Sequence, residues 1–251
     1  MRMRFLISGK KAVLAVMGGI LSVALLVAAC CVKVVSVASQ TIPVPILMYH
    51  SVGYNNKIQS PYIITPEVFE EDMRWLSEHG YTAVFVSDLI AYVRGKAALP
   101  EKPIVITLDD GFMNNRTYVL PLLEKYGMKA VLSVVGSFCE TFTVHPDPDP
   151  AYAYLTWEDV GFLADSGYFE IGNHTYEMHS VGPRKGCMKR ADESVASYSA
   201  ALSSDLSKLQ SMLTEKSGVT PTVFAYPYGA VSDEAVFVLQ SLGFSAALTC
   251  V

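Results

Sequence analysis

Two adjacent carboxylates, Asp109 and Asp110, are the residues of this 251-residue chain best placed to do chemistry. They end the apolar run Ile104–Leu108 and precede Gly111. Such a run predicts a buried parallel strand whose last residues emerge at the carboxyl edge of a sheet, where α/β enzymes place their reactive groups. Because successive strand residues point to opposite sides, one carboxylate can bind a cation while the other accepts a proton. The alternative is an ordinary Asp-Gly turn that closes the strand.

Two histidines, His174 and His179, follow a second strand-like run at Tyr168–Ile171. Two imidazoles and one carboxylate suffice to bind a catalytic divalent metal, with open positions left for water and substrate. Residues five apart on a regular helix point roughly 140° apart, so this is not the helical His-Glu-x-x-His of zinc proteases. We expect a strand end that runs into a loop and directs both imidazoles at one point. Two unrelated surface histidines are the alternative.

A third element, Phe224–Gly229, ends a strand-like run with a Pro-Tyr-Gly turn, which taken alone is ordinary. In chain order, the three elements resemble the motifs of the NodB-type polysaccharide deacetylases, carbohydrate esterase family four. Thr107–Gly111 is similar to the Thr-Phe-Asp-Asp-Gly of that family. His174–His179 is similar to its His-Ser/Thr-x-x-His, with one residue more, and Phe224–Gly229 to its Arg-x-Pro-Tyr-Gly, with Ala225 in place of the arginine.

The resemblance covers residues 44–251 and implies a fold and an activity. The run Val44–Val52 and the longer histidine spacing are similar to the branch that contains poly-N-acetylglucosamine deacetylases. The implied fold is α/β, a distorted (β/α)7 barrel. The implied activity is metal-dependent hydrolysis of N-acetyl groups on an N-acetylglucosamine-containing extracellular or cell-wall glycan.

The resemblance also implies a role for each motif residue. Asp110, His174 and His179 would bind a divalent metal, zinc being expected before cobalt, nickel or iron. Asp109 would act as general base on the attacking water. The metal and the backbone N–H of Tyr228 would hold the oxyanion.

The proton donor departs from the family pattern. Many members use a histidine in a C-terminal Leu-x-His motif, but no histidine follows His179 here. We expect His50, at the end of the first strand, to protonate the leaving amine, because closing a barrel brings the first and last strands together. The alternative is that His50 only caps its strand. Ala225 also removes the arginine that orients the base in the family.

These departures keep two other functions open. One is a deacetylase-like glycan-binding protein that has lost turnover. The other is an esterase that removes O-acetyl groups, since an alkoxide leaves more readily than an amine.

Strand-like and helical runs alternate after residue 45, which predicts parallel strands joined by right-handed crossovers. Strands are predicted at Ile46–His50, Thr82–Val86, Ile104–Asp109, Ala130–Val135, Phe169–Asn173, Thr222–Tyr226 and Phe244–Leu248. Helices are predicted at Pro66–His79, Val86–Arg94, Asn115–Tyr126, Thr156–Ser166, Glu193–Ser217 and Asp233–Leu242. Five of these helices are followed by a glycine, as their C-terminal caps prefer: Gly80, Gly127, Gly167, Gly218 and Gly243. The longest irregular piece, Ser137–Leu155, is a candidate substrate-binding loop.

The N-terminus predicts export and membrane attachment. Residues 1–11 are basic and would remain cytoplasmic, and residues 12–32 carry no charge over a length that can cross a bilayer. The same stretch is also typical of a secretory signal, and Val27–Cys30 resembles a lipoprotein cleavage box. A transmembrane anchor, a lipid on Cys30 and cleavage near Ala38 are the three alternatives. Residues 33–43 would then link the membrane to a deacetylase domain at 44–251 on its outer face.

The charge balance excludes one class of partner. After Lys33 the chain has 14 basic residues against 24 acidic ones, a net charge of −10. A groove for nucleic acid or another polyanion needs clustered Lys and Arg, so we expect a neutral glycan and no nucleic acid. Cys139 and Cys187 are expected either to form a disulfide or to be buried thiols.

Overall fold

The computed structural model of the protein describes residues 2–5, 42–54 and 60–250. In these ranges the chain forms ten strands and seven α-helices. The strands are β1 (Arg2–Phe5), β2 (Ile46–Tyr49), β3 (Ser51–Val52), β4 (Ile63–Ile64), β5 (Thr82–Ala83), β6 (Pro103–Leu108), β7 (Ala130–Val134), β8 (Phe169–Asn173), β9 (Val223–Ala225) and β10 (Ala246–Thr249). The helices are α1 (Pro66–Glu78), α2 (Val86–Val93), α3 (Leu120–Tyr126), α4 (Gly136–Val144), α5 (Trp157–Asp165), α6 (Val195–Ser217) and α7 (Ala235–Ser241). A π-helical turn, Asn115–Val119, precedes α3, and a 3-10 turn, Pro227–Gly229, follows β9.

A curled, mainly parallel sheet positions the carboxyl-edge loops. Its strand order is β1-β10-β9-β8-β7-β6-β2, with β5 also paired to β6. Every pair in it is parallel except β1 with β10. All seven predicted parallel strands and all six predicted helices are present, so the α/β prediction is confirmed.

The predicted distorted (β/α)7 barrel is confirmed in part: the parallel sheet curls, but β2 and β10 do not pair within the described residues. The outer edge of β10 is instead occupied by β1, which runs antiparallel from Arg2 opposite Thr249 to Phe5 opposite Ala246. Side chains still meet between the carboxyl ends of β2 and β10: the Cys250 Sγ atom lies 3.6 Å from the Met48 Sδ atom. The sheet is therefore a half-barrel whose first and last parallel strands approach at their carboxyl ends.

Both faces of the sheet are apolar, which explains the unbroken hydrophobic runs. Ile104, Ile106 and Leu108 of β6 face a cluster that includes buried residues of α1, α3, α5 and α6. Val105 faces the other side, where it packs with Val131 and the buried residues of α2. Asp109 and Asp110 follow directly after β6, and Asp110 leaves the extended conformation with a φ of 75°.

The predicted helix ends are confirmed. The Thr65 side chain caps α1 by accepting from the Val68 N–H at 3.4 Å, and Pro66 fills the first helical position. The glycines predicted as C-caps all have positive φ, between 63° and 86°. Each of these helices therefore ends where the sequence indicates.

The prediction that Ser137–Leu155 is irregular throughout is wrong, because helix α4 occupies its first part. The sequence of α4 contains Gly136, Thr141, Thr143 and Val144, residue types of low helix propensity. The Thr141 and Thr143 hydroxyls donate to the carbonyls of Ser137 and Cys139, both at 2.7 Å. Residues 145–156 alone remain irregular apart from turns and a single bridge.

The thiols do not form the conceivable disulfide. Cys139 and Cys187 are free and fully buried in different hydrophobic clusters. Burial raises the pKa of Cys139 and raises that of Cys187 to about 12, so both remain unreactive thiols. Cys250 is free and exposed.

The predicted membrane segment, residues 12–32, and most of the linker at 33–43 lie outside the described residues. In the described ranges, no helix has the length and apolar character needed to cross a bilayer. Part of the predicted basic segment, Arg2–Phe5, forms β1.

Candidate active site

The sequence motifs converge on one cavity of about 560 Å³ at the carboxyl edge of the sheet. Asp109 and Asp110 reach it from the end of β6, and His174 from the end of β8. His50 follows β2 and also lines the cavity. The remaining predicted residues, His179 and Tyr228, belong to the loops after β8 and β9 and complete the same wall.

Asp110, His174 and His179 form the candidate metal centre. One ligand atom from each lies within 4.8 Å of the other two. The Asp110 Oδ1 atom is 3.0 Å from the His179 Nε2 atom and 3.5 Å from the His174 Nε2 atom. This buried oxygen has no hydrogen bond of good geometry to any described residue. A carboxylate oxygen without a hydrogen bond, facing two imidazole nitrogens, fits the ligand set of a divalent metal.

Electrostatics favour ligation by an ionised carboxylate. Burial would raise the pKa of Asp110, but the two imidazoles outweigh it and hold the pKa well below its usual range. The side chain therefore stays a carboxylate, the form in which it binds a metal.

Each histidine is oriented through its other ring nitrogen. The His174 Nδ1 atom lies 2.9 Å from the Ala225 carbonyl oxygen, which accepts its proton and leaves Nε2 free to ligate. The His179 Nδ1 atom lies 3.3 Å from the Tyr228 hydroxyl, and the two rings are 4.7 Å apart. Ala225 does not supply the arginine of the motif that it resembles, but its backbone orients a candidate metal ligand.

Asp205 of α6 holds the loop between the two histidines. Its carboxylate accepts the N–H groups of Tyr176 at 2.7 Å and Glu177 at 2.9 Å. The loop is one residue longer than the family pattern, and Asp205 satisfies two backbone donors that the longer loop presents. This residue was missed from the sequence, where the only indication is an acid beside the buried stripe of α6.

Left-handed backbone at residues other than glycine is confined, among the described residues, to this site. Asp110, Thr175 and Tyr228 are its three non-glycine residues with positive φ, at 75°, 74° and 58°. Each belongs to a different motif. Such residues cost about 1–3 kcal/mol each and persist where the surrounding structure enforces them.

Asp109 is suited to accept a proton. It is only 3% exposed, and within the described residues its Oδ1 atom has no hydrogen bond. Burial raises the pKa of Asp109, and the nearby His174 and His50 oppose that effect. A carboxylate with raised proton affinity beside a candidate metal ligand is a candidate general base.

His50 is fixed through its backbone rather than its ring. The Asn115 side chain donates to the His50 carbonyl oxygen at 3.0 Å, and Asn114 accepts from the Val52 N–H at 3.1 Å. The ring packs 4.8 Å from Tyr62 and makes no hydrogen bond to any described residue. A strand-capping side chain would bond to the backbone, so the capping alternative for His50 finds no support. Asn114 and Asn115 were missed from the sequence; both are fully buried at the start of the π-helical turn.

The rest of the cavity wall was only partly predicted. Tyr152 and Tyr154 belong to the predicted substrate-binding loop, and their segment bridges to the first motif through Phe112. The Leu155 N–H donates to the Gly111 carbonyl at 2.9 Å. The other wall residues are Met48, Ser51, Ser60, Tyr62, Ile63, Ala151, Lys185, Tyr226 and Cys250. Aromatic rings on several sides suit a sugar, whose apolar faces stack on them.

Known proteins of one kind resemble this chain. Residues 96–247 match the sequence profile of the polysaccharide deacetylase family. A poly-beta-1,6-N-acetyl-D-glucosamine N-deacetylase of Escherichia coli (strain K12) is 28% identical over 225 residues, which cover 81% of this chain and 33% of that protein. The protein of the same name from Staphylococcus aureus (strain MRSA252) is 24% identical over 185 residues, which cover 72% of this chain and 59% of that protein.

A solved structure supports the same relationship. The de-N-acetylase from Aggregatibacter actinomycetemcomitans superposes with a TM-score of 0.70 and 26% identity, covering 80% of this chain and 85% of that one. The chain thus spans most of that solved domain but only 33% of the length of the E. coli relative.

Proposed function

Because the chain belongs to the polysaccharide deacetylase family, we propose that it removes N-acetyl groups from an N-acetylglucosamine polysaccharide. The observation that carries the proposal is the convergence of Asp110, His174 and His179 with the buried Asp109 in one aromatic-lined cavity. The names of the relatives in E. coli and S. aureus state poly-beta-1,6-N-acetyl-D-glucosamine as their substrate, which favours that glycan.

The metal would be held by Asp110, His174 and His179, with zinc as the first expectation. When bound, a divalent metal there supplies Lewis-acid polarisation of a carbonyl and acidification of water. The protein's own part begins with Asp109, which takes the proton of the attacking water as general base. Its buried position keeps competing donors away from Oδ1.

Two further groups complete the reaction as proposed. The backbone N–H of Tyr228, in the left-handed turn after β9, stabilises the developing oxyanion. His50 protonates the leaving amine, since its ring lines the cavity and is free of other hydrogen bonds to described residues. Asp109 and His50 are close enough to interact electrostatically, which suits a base and an acid that serve the same bond.

The proposed location is the outer face of the cell membrane, reached through residues 12–32. The support is the uncharged, basic-flanked sequence of that segment and the extracellular nature of the proposed glycan. Labelling with a radioactive fatty acid, compared with Cys30→Ala, decides between a lipid anchor and a helical one.

The deciding experiment is acetate release from defined N-acetylglucosamine oligomers, with metal content measured on the same preparation. We expect release that a chelator abolishes and added metal restores. The His174→Ala, His179→Ala variant should lose bound metal and activity together. Full metal occupancy in that variant would contradict the assigned ligands. Acetate release from O-acetylated but not N-acetylated substrates would favour the esterase. Binding of the glycan without any acetate release would favour the glycan-binding protein that has lost turnover.

A further inference from the structure

Lys185 puts a positive charge in the wall of the active-site cavity. The residue is exposed, and its ammonium group has no hydrogen-bond or ion-pair partner among the described residues. The proposed mechanism gives it no task. An unpaired charge beside a reaction centre changes which substrates can bind there.

The loop that carries Lys185 is held firmly against the third motif. Gly186 has a φ of 53°, and a Cβ atom on it would lie 2.7 Å from the Pro227 carbonyl oxygen. Only glycine allows this approach. The Lys189 N–H donates to the Ser232 hydroxyl at 2.8 Å, and the buried Cys187 carbonyl accepts from the Tyr198 hydroxyl at 2.9 Å. The backbone of Lys185 is therefore fixed next to Tyr228 and its turn.

Neighbouring cations differ from Lys185 because they are neutralised or bonded. Arg184 pairs with Glu193 at 2.7 Å, and Arg190 pairs with Asp192 at 3.0 Å. The Lys189 ammonium donates to a backbone carbonyl at 3.4 Å. Lys185 is thus the unpaired cation of this loop, and the one that also lines the catalytic cavity.

We propose that Lys185 makes the enzyme discriminate against glycan that already carries free amines near the target residue. This inference rests on the proposed deacetylase function. Each turnover converts a neutral acetamide into an amine that is protonated and positive at neutral pH. The cavity of about 560 Å³ has the size of pockets that hold ligands larger than one sugar residue, and Lys185 lines it, so a neighbouring glucosamine would bring its charge close to the Lys185 ammonium. Like charges oppose each other, and the product would therefore have its free amines spaced apart along the chain.

An anion-binding role for Lys185 is the weaker interpretation. Sites for carboxylate or phosphate groups combine several converging donors, such as a guanidinium fork or a row of backbone N–H groups. Here, among the described residues of the loop, the flexible ammonium of Lys185 is the one donor available, because Arg184 and Arg190 pair with acidic residues. A single charge is enough to disfavour a cation but provides little positive recognition of an anion.

The test compares two N-acetylglucosamine pentamers, one fully acetylated and one with a single free amine beside the central residue. We expect the wild-type protein to prefer the first by about threefold to tenfold in kcat/KM, the size expected of one like-charge pair near water. Lys185→Met should remove the preference and Lys185→Arg should keep it. Lys189→Met, which removes the same charge from the same loop outside the cavity, should leave the preference unchanged. High salt should weaken the preference in the wild type.

Product sequencing by mass spectrometry gives an independent readout. Amines should be separated in wild-type products and adjacent in those of Lys185→Met. Equal wild-type rates on both pentamers would overturn the inference while leaving the deacetylase function intact. A wild-type preference for acid-bearing oligomers that disappears in Lys185→Met, with no effect of the free amine, would also overturn it in favour of anion binding. Absence of acetate release from every oligomer would instead overturn the proposed function.

Discussion

At the scale of single residues, the buried carboxylate Asp109 tests the proposed chemistry most directly. We expect Asp109→Asn to retain the metal and to lose at least ~10²-fold in kcat, because an amide cannot accept the proton from water. Metal analysis and acetate release on the same sample check this. Activity near that of the wild type would make Asp109 a residue of the turn rather than the base.

His50 is predicted to act only when the leaving group needs a proton. His50→Ala should strongly reduce amide hydrolysis and largely spare an activated acetyl ester, since that leaving group departs unprotonated. Bound metal should not change, because His50 is outside the ligand set. Rates on both substrates, measured in parallel, provide the check.

Cys250 is the alternative candidate for the general acid, and its variant is compared with that of His50. Leu248-Thr249-Cys250 is similar in spacing to Leu-x-His, with a thiol in place of the histidine, and this thiol lines the same cavity. Partial desolvation and the neighbouring Asp109 raise the pKa of the Cys250 thiol, so the thiol keeps its proton at neutral pH. If Cys250→Ala loses amide hydrolysis selectively and His50→Ala does not, the thiol replaces His50 as the acid.

The residues that could be predicted from the sequence are those whose chemistry and local spacing are sufficient evidence. Asp110, His174 and His179 follow strand ends, and parallel strands bring their carboxyl ends to one edge. Lys185 and Asp205 could not be predicted in this way. Their positions depend on loops and a helix distant in sequence that meet the motifs only in the folded chain.

At the scale of elements, Asp205 of α6 accepts two backbone N–H groups of the loop between the histidines. We expect these hydrogen bonds to maintain the candidate metal site. Asp205→Asn keeps one oxygen acceptor but turns the other position into an N–H₂ donor, which would face a backbone N–H. We expect metal affinity to fall by about tenfold, as when an outer partner of a metal site is altered. Glu215→Gln, the same change at an exposed position of α6, is the control. Metal titration of both variants measures the difference, and equal affinities would contradict the role of Asp205.

Two features of the fold could not be predicted from sequence patterns: helix α4 and the open side of the sheet. The nine-residue helix α4 has only two buried residues, Gly136 and Cys139, so its sequence carries little periodic signal, and short helices depend on tertiary packing for their stability. Counting seven strands predicts a closed barrel, but closure depends on which partner occupies the edge of β10. No local pattern in β10 specifies that partner.

At the scale of the whole molecule, Glu170 is predicted to make stability depend on pH. Both of its carboxylate oxygens lie 3.2 Å from the Ser87 N–H at the start of α2, and burial raises its pKa above the ordinary 4.5. A raised pKa in the folded state means that its contribution to stability is complete below pH 4.5 and is lost as the pH rises through the folded value. Glu170→Gln cannot ionise and should lack this loss.

Urea unfolding of both proteins across that range measures the effect. The free energy of unfolding of the wild type, relative to Glu170→Gln, should fall as the pH rises from 4.5 towards neutrality. A constant difference between the two proteins would show that Glu170 has the same pKa folded and unfolded.

The three left-handed residues of the motifs also affect how long the protein survives. Without metal, the folded chain bears the strain of all three turns, about 1–3 kcal/mol each. A metal that binds only the folded state adds stability by mass action and reduces the fraction of molecules open to proteases. At the proposed location outside the cell, the abundance of the protein should therefore follow the supply of metal, separately from its catalytic rate. Chelated and metal-loaded samples given the same protease should differ in half-life, with the first cuts in the loops that carry Asp110, Thr175 and Tyr228.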